Sequence, residues 1–228
     1  MLKELLAIFK KDSKMDEAFS RSYEMLAINK DMFIKARKTL RETNTVELDR
    51  SVYEQDKKIN KYEREVRKDV LQHMAVSGIE DMPAALKLIG IIIDLERIGD
   101  YAKNIVELAE CHQAKLTAGG AEEDLLRIES AVENGFDRAK HVLETNDAEA
   151  AEELIKEFMW VNPLCDKYAL GYIREEDETL SRRSTAALVL YFRFLKRIHS
   201  HLRNIVTTVY RPFHKIGFIP SRHKEHKG

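Results

Sequence analysis

The sequence predicts an all-α protein made of two tandem three-helix bundles related by an internal repeat. Two observations carry that prediction. Apolar residues recur at helical spacing along nearly the whole chain, between short turn signals. In addition, the second half restates the first: "LERIGDYAKNIV" (Leu95 to Val106) returns as "LKRIHSHLRNIV" (Leu195 to Val206) at a constant offset, and "LRETNTVE" (Leu40 to Glu47) returns as "LETNDAE" (Leu143 to Glu149). A repeat of about 100 residues implies two related units that bury their apolar faces together.

The elements follow in chain order. Residues 1–13 form a short amphipathic segment with Leu2, Leu5, Leu6 and Phe9 on one face, interrupted by Lys3 and Glu4. That run is far too short for a secretory leader or for a span of about 20 apolar residues, so a packing helix is expected. The first unit covers 14–117. Its opening helix carries Met15, Ala18, Phe19, Met25, Leu26, Met32, Phe33, Ala36 and Leu40. Asn44 followed by Glu47 is a capping-box pattern that opens a second helix, which runs to about Val76 and stops at Gly78. Asp81 and Pro83 open the third, because a capping aspartate and a first-turn proline both suit a helix start. That helix continues to roughly Leu116 and the "TAGG" break. The second unit covers 121–210, with Ser181 matching Asp81 as a cap and Trp160 packing at a kink near Pro163. A basic tail, 211–228, closes the chain.

Composition narrows the function classes. Among 228 residues, 38 Lys and Arg nearly balance 39 Asp and Glu, so no global basic field points to direct nucleic-acid binding. Two well-separated cysteines, Cys111 and Cys165, suit a reducing compartment, and the expected location is the cytoplasm. His73, His112 and His141 read as surface or boundary residues, and Asn104 and Asn204 as struts between helices. His199 and His201, two apart on a helix, point to different sides and make no joint site.

The chemistry concentrates in "DLERIGDYAKNIVELAE", Asp94 to Glu110. Glu96 and Asp100 stand four apart, so their carboxylates leave nearly the same side of a helix, beside a seam formed by Leu88, Ile91, Ile92, Leu95, Ile98, Ala102, Ile105 and Val106. Gly99, between them, admits a close neighbour. The second helix supplies a matching column: Asp56 and Asn60 four apart, then Glu63. Opposed across antiparallel helices, these oxygens make a hard donor set suited to a divalent or trivalent ion such as Fe, Mg, Mn or Ca, with Zn less suited. Asp81 is a weaker candidate. In the second unit Glu96 becomes Lys196 and Asp100 becomes Ser200. An ungapped repeat puts Phe158 opposite Asp56 and Asn162 opposite Asn60; a slide of one turn offers Asn162 and Asp166 instead.

The "DLERIGDYAKNI" motif, the upstream "DKKIN..E", the Asp81 cap and the doubled three-helix plan resemble the PhoU family of phosphate-uptake regulators. The resemblance implies metal clusters on paired acidic motifs, falling here on Glu96 and Asp100 and on Asp56 and Asn60. It also implies regulation of phosphate uptake through a transporter's ATPase subunit and a phosphate-sensing histidine kinase, with membrane contact through those partners and a homodimer left open. The chain departs from the family pattern at Asn60, where aspartate is usual, and in the second unit at Lys196 and Ser200. Two other classes remain to be weighed: a metal-free helical scaffold and a carboxylate-bridged metal oxidase. The oxidase requires Glu-x-x-His on two helices, which the sequence lacks, as it lacks a phosphate-binding loop, a nucleophile elbow and a His-Glu-x-x-His motif. No catalytic residues are assigned.

Overall fold

Caps and apolar stripes set the helices of the computed structural model, which describes residues 14–43, 51–77, 79–175, 177 and 179–217. The amphipathic segment 1–13, the Asn44/Glu47 capping box, Gly78 and residues 218–228 of the basic tail lie outside the described residues. Helix α1 (Lys14–Glu42) opens on Asp16 and Glu17, acids that complement the positive end of the helix dipole. It buries Met15, Ala18, Met25, Leu26, Met32, Phe33, Ala36 and Leu40, all expected from the spacing. Helices α2 (Ser51–Ser77) and α3 (Met82–His112) complete the first unit.

Both ends of α3 differ from expectation. Asp81 occupies the cap position, yet its side chain makes no capping bond. It faces His73, whose Nε2 lies 2.8 Å from Asp81 Oδ2. At the other end Gln113 adopts a left-handed conformation (φ 57°), so the helix stops at His112, short of Leu116. His112 is buried, not a surface residue: its Nδ1–H donates to the Ala114 carbonyl at 2.7 Å, and Nε2 lies 3.4 Å from Ser184 Oγ.

The second unit contains α4 (Glu122–Thr145), α5 (Ala148–Glu157), α6 (Val161–Ile173) and α7 (Arg182–Tyr210). The "TND" sequence divides its work: Asn146 ends α4 at φ 51°, and Asp147 Oδ1 accepts the Glu149 and Ala150 amides at 2.9 and 3.0 Å to start α5. Ser181 caps α7 as expected, accepting the Ser184 amide at 3.1 Å. The expected kink at Pro163 is a full break. A proline ring clashes with the carbonyl four residues back, here Met159, so one helix cannot run through this point. The chain turns at Phe158 to Trp160, and Pro163 sits inside the first turn of α6, where its missing N–H costs nothing. Trp160 lies against Arg127, whose guanidinium is 4.8 Å from the indole ring.

Helices α3 and α7 cross antiparallel at the middle of the molecule. Tyr101 packs on Phe194 (5.9 Å between ring centres), while His201 Nδ1 lies 2.6 Å from Asp94 Oδ1. Positions 201 and 94 are the repeat mates of 101 and 194. The same two positions therefore meet in both directions, which is the signature of a pseudo-twofold axis between the units. Asn204 donates to Asp94 at 3.2 Å, which makes it the strut expected of it.

A second tie is buried and ionic. Arg41 on α1 reaches Glu129 on α4 at 3.0 Å, also contacting Glu122 and the Leu116 carbonyl, and the Tyr191 hydroxyl on α7 donates to Glu129 at 2.7 Å. Burial lifts the Glu129 carboxyl above its ordinary range against the opposing pull of Arg41. Cys111 is exposed, Cys165 is buried, and both are free thiols. Among the described residues no helix is long and apolar enough to cross a membrane.

Candidate cation face on the first unit

The face is built where α2 and α3 run side by side. Gly99 makes the approach close: a Cβ there would stand 3.2 Å from both Asn29 Oδ1 and Ile59 Cδ1, and 3.9 Å from Asp56 Oδ1. A mid-helix glycine costs about 1 kcal/mol relative to alanine. A side chain at this position would require Asn29 Oδ1 and Ile59 Cδ1 to give way by a few tenths of an ångström. Asp56 is nearly buried beneath this contact. The Asn60 amide donates to Asp56 Oδ2 at 3.2 Å, so the expected column on α2 forms.

Glu96 and Asp100 face that column, and the evidence is electrostatic. Burial raises the Glu96 carboxyl above the usual range, Asp100 raises it further, and Glu63 and Asp56 add to this, with Arg97 opposing. Three carboxylates, one on α3 and two on α2, thus act on Glu96. Arg97 reaches Glu96 and Asp100 at 3.6 Å each, and Arg67 holds Glu63 at 2.6 Å. Asp81 does not join them. It lies fifteen residues before Glu96 on α3, roughly 22 Å away at the helical rise, and is engaged with His73.

Two participants were not anticipated. The Lys103 ammonium sits between the columns, 3.0 Å from Asp56 Oδ2 and 3.0 Å from Asp100 Oδ1. Three residues after Asp100, it reads in sequence as half of an ordinary surface ion pair; the opposing Asp56 makes it a bridge. Asn29 is fully buried on α1 and donates to the Leu95 carbonyl at 2.8 Å, while its Oδ1 has no hydrogen-bond partner among the described residues. A polar residue inside an apolar stripe was the available signal.

The donors fit a hard cation in kind: carboxylate oxygens, an amide and an orphaned buried carbonyl beside Gly99. Their arrangement is not a finished ligand cage. Among the described residues no three His, Cys, Asp or Glu side chains converge as a ligand set. Lys103 holds two of the oxygens a cation would need.

The second unit resolves the repeat register. Asn162 donates to Ser200 Oγ at 2.9 Å, and its carbonyl oxygen meets His199 Nδ1 at 2.9 Å. Asp166 takes Lys196 at 2.7 Å. Asn162 therefore meets positions 199 and 200 where Asp56 lies beside Gly99 and shares Lys103 with Asp100, so Asn162 and Asp166 are the mates of Asp56 and Asn60. Phe158 is not. The physical reason is the break before α6, which takes up the extra turn of chain. His199 is buried and neutral, its pKa pushed down to about 3 by burial and by Arg203.

Residues 22–109 match the model of the PhoU domain. The first half of the chain therefore carries a PhoU domain. The matched span contains Asn29, Asp56, Asn60, Glu63, Glu96, Asp100 and Lys103, so the whole face belongs to the PhoU domain. The fold extends further. A crystal structure of PhoU from Pseudomonas aeruginosa is similar with a TM-score of 0.75 and 21% identity, over 86% of this chain and 95% of that one. No curated protein sequence matches the chain.

Proposed function

We propose that this chain regulates phosphate uptake by protein contact with the ATPase subunit of a phosphate transporter and with a phosphate-sensing histidine kinase, from the cytoplasmic side. The acidic face of its first unit binds a hard metal ion, Fe, Mg, Mn or Ca, and the second unit serves as scaffold. The observation that carries this reading is the PhoU domain's two facing columns, Glu96 and Asp100 opposite Asp56, Asn60 and Glu63. Asp81 is dropped from the ligand set on grounds of distance.

The ion would neutralise a cluster in which burial, and then Asp100, Glu63 and Asp56, raise the Glu96 carboxyl above its ordinary range. It would also fix α2 against α3 and give a partner a defined acidic surface. The test is capture of the native chain by the purified ATPase subunit and by the kinase's cytoplasmic portion, at matched phosphate levels. Saturable binding to either, weakened by E96A/D100A, supports the proposal; no binding to either, with and without added metal, removes it.

A further inference from the structure

We propose that Lys103 is a tethered counter-ion that competes with a metal for the acidic face, so that cation binding and release of the lysine are a single event. This rests on the reading of that face as a cation site, and it goes beyond it by naming the residue that sets affinity.

The geometry makes the competition direct. Lys103 Nζ lies 3.0 Å from one oxygen of Asp56 and 3.0 Å from one oxygen of Asp100, which are donors on opposite helices. A hard cation binds carboxylate oxygens at about 2.0–2.6 Å. An ion spanning the two helices takes the volume the ammonium fills, so both cannot be present. With the lysine in place, Asp56 and Asp100 are already compensated by one positive charge, and an incoming ion must displace that charge before it gains theirs. Lys103 is half-buried on a flexible four-carbon stem with solvent on its outer side, so it can leave without moving either helix.

The second unit also sets a cation between its facing helices, from a different position. There a lysine stands in the place of Glu96 itself, and Lys196 holds Asp166, the mate of Asn60, at 2.7 Å. Ser200 replaces Asp100 and is engaged with Asn162. The mate of Lys103 is Arg203, three residues after Ser200 as Lys103 is after Asp100, and its Nε has no hydrogen-bond partner among the described residues. One unit thus keeps surplus acids and a lysine able to leave. The other lacks the acids of the Glu96 and Asp100 positions and carries a lysine at the first of them, paired with Asp166.

The experiment uses the full-length, metal-stripped chain titrated with Mn²⁺ by calorimetry at low ionic strength, comparing wild type with Lys103→Met and Lys103→Arg. Tethered competition predicts at least tenfold tighter Mn²⁺ binding by K103M and near-wild-type binding by K103R. It also predicts that metal-free K103M melts below wild type and that saturating Mn²⁺ closes the gap. Equal or weaker Mn²⁺ binding by K103M overturns the proposal while leaving the cation face standing. Absence of Mn²⁺ binding in every variant overturns the cation reading itself, and this proposal with it. Lys103→Gln, which keeps a donor for Asp56, carries the same comparison if K103M does not fold.

Discussion

Replacing Arg41 with methionine tests how the two units are held together. The guanidinium is 5% exposed and bonds Glu129, itself 3% exposed, so the variant strands a carboxylate in the interior with the Tyr191 hydroxyl and the more distant Arg37 as remaining support. Removing one partner of a buried ion pair costs about 3–5 kcal/mol. At about 2–4 °C per kcal/mol for a chain of this size, the melting temperature should fall by about 6–20 °C. The loss should depend on pH with a definite sign. Burial already raises the Glu129 carboxyl, and without Arg41 it rises further. A carboxyl whose folded pKa exceeds its unfolded value contributes stability below the unfolded pKa and loses it as pH rises through the folded one. R41M should therefore lie closer to wild type at pH 5 than at pH 8, and adding E129Q should recover part of the loss at pH 8. Thermal melts at the two pH values decide it. A drop under about 2 °C, or an equal drop at both, would refute the reasoning.

Further predictions concern the second unit. K196E/S200D places two acids opposite Asp166 and Asn162, so the chain should gain bound metal by elemental analysis and lose stability in chelator; unchanged metal content would show the register derived from Asn162 and Ser200 to be wrong. His199, with its pKa pushed from 6.5 to about 3 by burial, binds a proton more readily unfolded than folded. Stability should decline as pH falls from about 6.5, and His199→Gln should flatten that part of the curve measured by urea unfolding between pH 7 and 4. An identical slope in the variant would mean that His199 is not the group responsible.

The apolar stripes and the repeat were legible in the sequence because they rest on local physics. The apolar stripe of α1, the Ser181 cap and the repeated "LERI"/"LKRI" helices depend on spacing and capping within a few residues. What depends on facing elements was not legible. Asp81 looks like a cap from its own helix, but His73 on α2 draws its carboxylate away. His112 looks like a boundary residue until the turn at Gln113 brings Ala114 over it. Lys103 is the clearest case. Nothing in α3 alone distinguishes it from an exposed partner of Asp100, and only the packing at Gly99 sets Asp56 against it. The second-unit register stayed open between two alternatives for a related reason: a proline tells where a helix is disturbed, but not whether it kinks or breaks, and the break selects the pairing slid by one turn.

Mn²⁺ binding followed by electron paramagnetic resonance, on the metal-stripped chain and on Glu96→Ala/Asp100→Ala, reaches the central claim most directly. The account predicts about one saturable ion per chain in wild type, its loss in the double variant, and a helical content that does not change. Equal Mn²⁺ uptake by the two proteins, or none by wild type at millimolar ion, would contradict it.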